Sequence, residues 1–315
     1  NEAIRLSKLM QEYGAITIAG GHHASALPDS CIKDFNIVVV GEGEETLERI
    51  IKENIKEGII ISKGLTQDLD TYPLPARDKV DMNDYNMMMD GKRTATLVTS
   101  RGCYGGCVYC SRRAAKSMRY HSPYRVYEEV SQLKNKYGYE SFYFNDDMFT
   151  ADKERILRIT KWIKPLNITY RIATRADYLD KEIVKAMKNS GLDIVGLGIE
   201  HADNEVLKKS NKNLTIEQNE KAVKICHDLG VKVKGFFILN LPGATEETAL
   251  KTIEWAKEHC DYADFYPLTV YPGSPIWMFP ERFGMTILDK SFNYYHGGKD
   301  VKFNVESKTL PNNKL

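Results

Sequence analysis

The chain has 315 residues and a formal net charge of +1, with 44 basic and 43 acidic residues. This balance gives no electrostatic reason to expect a nucleic acid or an anionic membrane surface as a partner. No apolar run approaches the roughly 20 residues that cross a bilayer, and no signal peptide is visible, so we expect a cytoplasmic protein. Six cysteines are too few for a disulfide scaffold of this size.

The N-terminal segment alternates between helical and strand patterns. The stretch IRLSKLMQEYG predicts a helix that ends at Gly14, and AITIAGG predicts a short buried strand. A polar loop, HHASALPDS, precedes a second predicted strand at 36–41, and GEGEETLERIIKEN begins a helix. This order is part of a doubly wound α/β unit. Since it begins inside a helix, we expect residues 1–63 to be the C-terminal half of such a domain.

Two segments lack a clear period. Residues 64–93 contain TYPLPARD and are predicted to be a linker, in which Met87-Met88-Met89 serves as flexible apolar filler. The C-terminal tail, 281–315, contains FNYYHGGKD and matches no motif, and we expect it either to cover the barrel mouth or to take part in substrate binding.

Residues 94–280 repeat a strand–helix alternation six times. Parallel strands joined by helices close into a complete or partial barrel, and active sites lie at the carboxyl ends of its strands. Charged side chains cluster where these predicted strands end. The predicted fold class is therefore α/β, a partial (β/α)6 TIM-like barrel preceded by part of a doubly wound, Rossmann-like (flavodoxin-like) domain.

Three cysteines follow the first barrel strand with the spacing C-x3-C-x2-C: Cys103, Cys107 and Cys110. A structural zinc ion takes four ligands, typically as two close pairs, and here His121 would have to complete the set. An iron–sulfur cluster fits better, because thiolates are its usual ligands and three of them leave one iron open. The remaining cysteines are isolated in sequence and are predicted to be small apolar residues: Cys31, Cys226 and Cys260.

With Tyr109 before its last cysteine, this triplet resembles the radical S-adenosylmethionine (SAM) superfamily. Stretches after later strands resemble its branch with an N-terminal cobalamin (B12)-binding domain: FNDDMFTAD, TRADYLD, GLGIEHADNEVLKKSNK, FFILNLPGATEET and VYPGSPIW. The segments AGGHHASALPDS and NIVVVGEGEETL resemble the second half of that domain, and PLPARD resembles the linker after it. The resemblance covers nearly the whole chain.

The resemblance implies that the three cysteines ligate a 4Fe-4S cluster whose open iron binds SAM. One electron then cleaves SAM to methionine and a 5′-deoxyadenosyl radical, which takes a hydrogen atom from the substrate. The implied contacts to SAM are Tyr109 at the adenine, Asp146 or Asp147 at the ammonium, Arg175 at the carboxylate and Glu200 at the ribose hydroxyls. Structural roles stay open, since carboxylates at strand ends also cap turns and Arg175 also has Asp177 within reach.

Cobalamin is the further cofactor that the resemblance implies. The base-off motif Asp-x-His-x-x-Gly does not occur in this sequence, and we expect the first half of the domain to lie before Asn1. Candidate contacts to the corrin or its nucleotide tail follow the two predicted strands: Gly20, Gly21, Ser25, Gly41, Glu42 and Gly43. One departure from the family pattern is His201-Ala202, where Ser-Gly is common, and a contact role and a loop role both stay open for His201.

The predicted reaction is cobalamin-dependent methylation of an unactivated carbon, in which a substrate radical takes the methyl group of methylcobalamin. An alternative keeps the radical and performs cyclisation, rearrangement or carbon–carbon coupling without methylation. Sulfur insertion, as in methylthiotransferases, is disfavoured by the near-neutral charge and the different N-terminal domain. A non-enzymatic iron–sulfur electron carrier is disfavoured by the open iron.

The expected partners follow from this chemistry. We expect a small-molecule, lipid or natural-product substrate and an electron donor such as a flavodoxin or ferredoxin. No nucleic acid and no transmembrane segment are expected.

Overall fold

The structure is a computed structural model and describes residues 2–62, 64–111, 117–290 and 303–314. The chain forms two compact units. The first unit comprises 1–67, 108–114 and 269–306, and the second comprises 68–107, 115–268 and 307–315. This division differs from the predicted boundaries at 63, 93 and 280, which stay a prediction. The predicted substrate-related stretch FNYYHGGKD lies outside the described residues.

Both units are built from short strands and helices. The helices are, in chain order, α1 (Glu2–Glu12), α2 (His22–Ala26), α3 (Pro28–Cys31), α4 (Glu44–Lys52), α5 (Pro123–Tyr137), α6 (Lys153–Ile163), α7 (Lys181–Asn189), α8 (Asn204–Lys209), α9 (Ile216–Asp228), α10 (Glu246–His259) and α11 (Pro275–Met278). The strands are β1 (Ile18–Ala19), β2 (Ile37–Val40), β3 (Gly58–Ile61), β4 (Met88–Met89), β5 (Lys92–Leu97), β6 (Ser100–Arg101), β7 (Arg119–Tyr120), β8 (Ser141–Phe144), β9 (Thr169–Thr174), β10 (Leu192–Glu200), β11 (Lys232–Ile238), β12 (Tyr262–Tyr266), β13 (Met285–Ile287) and β14 (Val305–Ser307). In the described ranges, no helix has the length and apolar character needed to span a bilayer.

The first unit contains a parallel sheet in the order β1-β2-β3. Its central strand is buried, and Ile37 and Val39 pack with Ile50 of α4. Sequence analysis missed β3, because its uniform run of isoleucines shows neither alternation nor a bounded buried segment. The prediction of a loop at HHASALPDS is also wrong, since these residues form α2 and α3.

The second unit contains, among its described residues, a curled seven-stranded sheet in the order β12-β11-β10-β9-β8-β5-β4. The pairings from β5 to β12 are parallel, and β4 joins β5 in the antiparallel sense. Helices connect the successive parallel strands, so the sheet is a half-barrel. The predicted α/β fold with a partial TIM-like barrel is confirmed.

Two helices of the half-barrel show clear local signals at their ends. Ser122 accepts a hydrogen bond from the Arg125 amide at the start of α5, and Gly138 ends this helix in the left-handed conformation. Thr215 and Gln218 form a reciprocal capping box at the start of α9. Such local signals fix the segment boundaries, and packing against the sheet then stabilises the helices.

The half-barrel core lies between the sheet and its helices. Alternate residues of β9 are buried, including Tyr170 and Ile172. The Phe144 ring stacks on Phe149 at a centroid distance of 5.0 Å and meets Tyr170 edge-on at 5.3 Å. Because the strands are parallel, their carboxyl ends share one edge, where the polar residues predicted as functional are placed.

From Asp68 onward the predicted linker belongs to the second unit, where Asp70 contacts His121 and Arg77 pairs with Glu129 of α5. It contains short 3-10 turns, and Met88 and Met89 form β4 instead of flexible filler. The Arg93 guanidinium lies over the Tyr139 ring, 4.3 Å from its centroid, and donates to the Tyr137 carbonyl at 2.8 Å. A cavity of about 660 Å³ lies between linker residues such as Tyr85 and the residues Thr94 and Leu133. None of the residues predicted as functional lines this cavity.

Gly191, at the turn from α7 to β10, lies very close to the backbone of Ile168, and a substitution can test this contact. Its φ is +111°, and an added Cβ would stand 2.0 Å from the Ile168 carbonyl oxygen. We expect Gly191→Ala to lower the free energy of unfolding by about 3 kcal/mol, through backbone strain and overpacking. Gly230→Ala is the control, because its φ is +66° but no atom lies within 4 Å of the added Cβ. It should cost about 1 kcal/mol, and equal losses in urea denaturation would contradict the packing argument.

Candidate active site

The segment that carries the cysteines leaves the end of β5 and returns at one short ladder. Strand β6 pairs with β7 in the antiparallel sense, with Ser100 opposite Tyr120 and Arg101 opposite Arg119. The Thr99 carbonyl accepts from the His121 amide at 2.9 Å, just beyond the ladder. The chain therefore enters and leaves the cysteine segment at a fixed place beside the first parallel strand.

Asp146, at the end of β8, binds the residues that follow β5. Its Oδ1 accepts from the backbone N–H groups of Thr99 and Ser100, each at 2.6 Å, and its Oδ2 accepts from the Thr99 hydroxyl at 2.6 Å. Burial raises the pKa of the Asp146 carboxyl, and the hydrogen bonds from Thr99 and the charge of Arg155 offset part of this effect. Both oxygens are thus engaged by the protein, which gives Asp146 a structural role. Its predicted contact with the SAM ammonium stays a prediction.

Arg155 of α6 binds the same segment through two backbone carbonyls. Its Nη2 donates to the Thr99 carbonyl and its Nε to the His121 carbonyl, both at 2.8 Å. The His121 ring meets the Asp70 carboxylate at 2.9 Å. This pairing engages the histidine that a zinc site would have needed. Sequence analysis did not identify Arg155, because a single arginine in an amphipathic helix resembles an ordinary surface residue.

Two of the three cysteines lie in the second unit and converge. A Cβ added to Gly105 would stand 3.2 Å from the Cys103 Sγ and 3.8 Å from the Cys107 Sγ. The Gly105 amide donates to the Cys103 Sγ at 3.2 Å, and this sulfur also lies 3.1 Å from the Met148 Sδ. Two thiols around a position without a side chain fit the thiolate ligation and close loop approach that an iron–sulfur cluster needs.

Tyr109 and the third cysteine, Cys110, belong to the first unit, and both are half-buried. The Val108 carbonyl beside them accepts from the Ile276 amide at 3.1 Å. In the described ranges, no three His, Cys, Asp or Glu side chains come close enough together to hold a metal ion. The three-cysteine ligand set therefore stays a prediction from the motif.

Arg175 follows β9 and is 8% exposed. Its Nε and Nη2 bind the two oxygens of Asp177, each at 3.0 Å, and its Nη1 donates to the Lys212 carbonyl at 3.0 Å. Burial lowers the pKa of Arg175, but Asp177 and the thiols of Cys107 and Cys103 more than offset this and raise it. The structure thus shows the pairing with Asp177 that the sequence left open. The predicted contact between Arg175 and the SAM carboxylate stays a prediction.

Glu200 ends β10 in a strained turn. Its φ is +70°, and the His201 amide donates across it to the Ile199 carbonyl at 2.9 Å, as in the rare positive-φ form of the γ-turn. The Glu200 carboxylate accepts from the Lys212 Nζ at 2.8 Å, and both side chains are largely buried. Backbone strain of this kind is concentrated at functional sites. The predicted contact of Glu200 with a ribose stays a prediction, and Lys212 is a partner that sequence analysis missed.

Asp147 and His201 have different surroundings. Asp147 is half-buried at the end of β8. His201 is fully buried, and no described residue hydrogen-bonds either ring nitrogen. Burial lowers the pKa of His201 to about 4, with opposing effects from Asp203 and Lys251. The ring is therefore neutral at physiological pH, and His201 lies buried in the loop between β10 and α8.

The residues predicted to contact cobalamin follow β1 and β2 of the first unit. Gly21 has a φ of +92° with open space around it, and Gly43 is also unobstructed. Gly41 approaches Ser62 so closely that a Cβ would stand 2.9 Å from the Ser62 Cβ. The Ser25 hydroxyl accepts from the Gly41 amide at 3.0 Å, so it braces one strand end. Gly20 directly follows β1, and Glu42 lies two residues after the end of β2. The contact of all six residues with a ligand stays a prediction.

Comparison with known sequences identifies the family of the half-barrel. The profile of the radical SAM superfamily matches residues 97–256. An uncharacterised methyltransferase of Pyrococcus horikoshii is 33% identical, over 87% of this chain and 64% of that protein. Cytidylyl-2-hydroxyethylphosphonate methyltransferase of Streptomyces wedmorensis is 27% identical, over 83% of this chain and 59% of that protein. The chain thus spans about three fifths of the length of these relatives.

Solved structures share the fold. The radical S-adenosylmethionine methyltransferase TsrM from Kitasatospora setae, with tryptophan and a SAM analogue bound, superposes with a TM-score of 0.73 at 17% identity, covering 87% of this chain and 60% of that one. The cobalamin-dependent S-adenosylmethionine radical enzyme OxsB gives a TM-score of 0.68 at 20% identity, covering 89% of this chain and 44% of that one.

Removal of the Asp146 carboxylate tests its bracing role. We expect Asp146→Ala to lower the free energy of unfolding by about 3 kcal/mol, because three buried donors lose their acceptor. Asp152→Ala is the control, since it removes one N-cap bond to the Arg155 amide and should cost about 1 kcal/mol. Urea denaturation measures both, and a loss for Asp146→Ala no larger than that of the control would exclude the brace.

The buried His201 predicts a pH dependence of stability. The fold favours the neutral ring, so stability is fully present above the unfolded pKa of 6.5 and is lost as the pH falls towards about 4. The loss should approach about 3 kcal/mol across this window. His201→Leu should flatten the profile of unfolding free energy against pH. The control His227→Gln, at a half-exposed residue paired with Asp261, should keep the fall. An unchanged slope in His201→Leu would contradict the assignment.

Proposed function

The chain belongs to the radical SAM superfamily, and from this premise we propose that it uses Cys103, Cys107 and Cys110 to hold a 4Fe-4S cluster that activates SAM. The observation that carries the proposal is the C-x3-C-x2-C motif at the carboxyl end of the first parallel strand, with the thiols of Cys103 and Cys107 converging on Gly105. The cluster and SAM, when bound, supply a 5′-deoxyadenosyl radical.

The residues of the half-barrel edge position SAM in this proposal. Arg175 supplies a guanidinium whose orientation is fixed by Asp177 and the Lys212 carbonyl, which suits a carboxylate. Glu200 supplies acceptor oxygens for a diol, held by Lys212. Asp147 is assigned to the ammonium group in preference to Asp146, whose two oxygens already serve Thr99 and Ser100. Tyr109 is assigned to the adenine.

The first unit is the proposed cobalamin site. Gly20 and Gly21 follow β1, and Gly41, Glu42 and Gly43 follow β2, so both groups lie at carboxyl ends of parallel strands, where such sheets bind ligands. Ser25 positions Gly41 through its backbone amide. The open space at Gly21 and Gly43 supports the close approach of a large ligand.

We assign methyl transfer to an unactivated carbon as the overall reaction, dependent on cobalamin. The names of the two sequence relatives, both methyltransferases, support this assignment. A hopanoid C-3 methylase of Methylococcus capsulatus, 28% identical over 83% of this chain, supports a small-molecule or lipid substrate. An electron donor such as a flavodoxin or ferredoxin completes the proposed system, which acts in the cytoplasm.

Radical cyclisation is the second candidate. It is favoured by the anaerobic magnesium-protoporphyrin IX monomethyl ester cyclase of Cereibacter sphaeroides, which is 26% identical over 84% of this chain. The product mass separates the two reactions, since methylation adds one CH₂ and cyclisation removes hydrogen.

The test uses the full-length protein, reconstituted anaerobically with iron and sulfide and given SAM, hydroxocobalamin, a reductant and candidate substrates. We expect 5′-deoxyadenosine to form, and Cys103→Ala, Cys107→Ala and Cys110→Ala each to reduce its yield at least about a hundredfold. Cys226→Ala is the matched control, because burial raises the pKa of this thiol to about 12 and keeps it protonated. It should retain activity, and a wild-type protein that yields no 5′-deoxyadenosine would refute the radical reaction.

A further inference from the structure

The connection between α8 and α9 contacts three separate parts of the half-barrel edge. These contacts are made by Asn211, Lys212 and Asn213, and we call these three residues the connector. Through its side chains and carbonyls it binds the loop that carries Cys103 and Cys107 (the cysteine loop), Arg175 after β9 and Glu200 at the end of β10. All of these residues lie in the second unit.

Asn211 binds the cysteine loop directly. Its Nδ2 donates to the Gly106 carbonyl at 2.7 Å, next to the residue on which Cys103 and Cys107 converge. A Cβ on Gly106 would stand 2.7 Å from this Nδ2, so a larger residue at position 106 would displace the Asn211 side chain from this contact. The contact therefore fixes the distance between the connector and the cysteine loop.

Lys212 reaches both strand ends. Its Nζ donates to the Glu200 Oε1 at 2.8 Å, and the exposed fractions of the two side chains are only 5% and 13%. Its carbonyl accepts from the Arg175 Nη1 at 3.0 Å. The connector thus orients the two side chains that we assign to the carboxylate and ribose of SAM.

The backbone conformation of the connector allows all of these contacts to form at the same time. Asn211 and Asn213 have φ values of +50° and +54°, in the left-handed region that asparagine tolerates better than most residues. With this geometry the carbonyls of Lys212 and Asn213 both face the Arg175 guanidinium, at 3.0 and 3.4 Å. Lys212, which forms the buried ion pair with Glu200, thus lies between two residues in the left-handed conformation.

We propose that the connector Asn211–Asn213 is a positioning element that holds the cysteine loop, Arg175 and Glu200 in fixed positions relative to one another. Asn211 is the positioning residue for the cysteine loop, and Lys212 is the positioning residue for Glu200. The inference rests on the proposed function, since it assigns the connector to the same cluster and the same SAM.

The competing explanation is that Asn211 only ends α8, because its amide bonds to the Lys208 carbonyl at 3.0 Å. Asn211→Gly separates the two, since glycine is the residue best suited to such a helix end and lacks only the side-chain donor. Asn213→Gly is the matched control, because it keeps the left-handed backbone and the carbonyl that Arg175 uses.

The first measurement is iron release from the reconstituted full-length protein to a chelator. We expect Asn211→Gly to release iron about fivefold faster than the wild type, as the loss of one hydrogen bond predicts. Asn213→Gly should release iron at the wild-type rate, and both variants should keep the thermal stability of the apo protein. Equal rates for Asn211→Gly and the wild type would overturn the role of Asn211.

The second measurement is the change in the electron paramagnetic resonance spectrum of the reduced cluster as SAM is added. We expect Lys212→Met to raise the SAM concentration at half-saturation about tenfold, while the iron content and the spectrum without SAM stay unchanged. Lys212→Arg, which keeps the charge, should restore binding to within about threefold of the wild type. If Lys212→Met binds SAM like the wild type, or if Lys212→Arg fails as Lys212→Met does, Lys212 has no positioning role.

The response of the wild-type protein to SAM separates a failure of the proposed function from a failure of the connector proposal. A wild-type cluster whose spectrum does not respond to SAM refutes the proposed function itself. A responsive wild-type cluster, with variants that behave identically to it, refutes only the connector.

Discussion

The geometry of the half-barrel site depends on the hydrogen bonds that the Asp146 carboxylate accepts. Its two oxygens accept from the amides of Thr99 and Ser100 and from the Thr99 hydroxyl, while Arg155 donates to the Thr99 carbonyl. Because these groups are buried, water cannot replace a lost partner, and the end of β5 has one stable position. The loop that carries Cys103 and Cys107 starts from that position.

The parallel sheet adds the second constraint. Strands β9 and β10 are neighbours and end at the same edge, so Arg175 and Glu200 come together although 25 residues separate them in sequence. Lys212 lies on the connector between α8 and α9 and contacts both, through its carbonyl and its Nζ. The edge therefore combines a rigid backbone with buried charges whose partners fix their orientation, which is the preorganisation that binding of a polar cofactor requires.

Much of the fold was predictable, for local reasons. The period of apolar residues marked the helices of the half-barrel, and the predicted α/β architecture and superfamily are confirmed. Strand β3 was missed because a uniform apolar run has no period. Lys212 and Arg155 were missed because a lone basic residue in a polar stretch carries no local sign of burial. Their roles depend on partners more than ten residues away.

The sequence by itself determined the family, the spacing of the three cysteines and the alternation of strands and helices in the half-barrel, because these depend on residue type and local period. Only the tertiary structure decided which polar groups are engaged. It assigned Asp146 to the Thr99 and Ser100 amides, paired Arg175 with Asp177 and buried His201 without a hydrogen-bonding partner among the described residues. A carboxylate at a strand end looks the same in sequence whether it faces a cofactor or a backbone amide, and only packing across the sheet distinguishes the two.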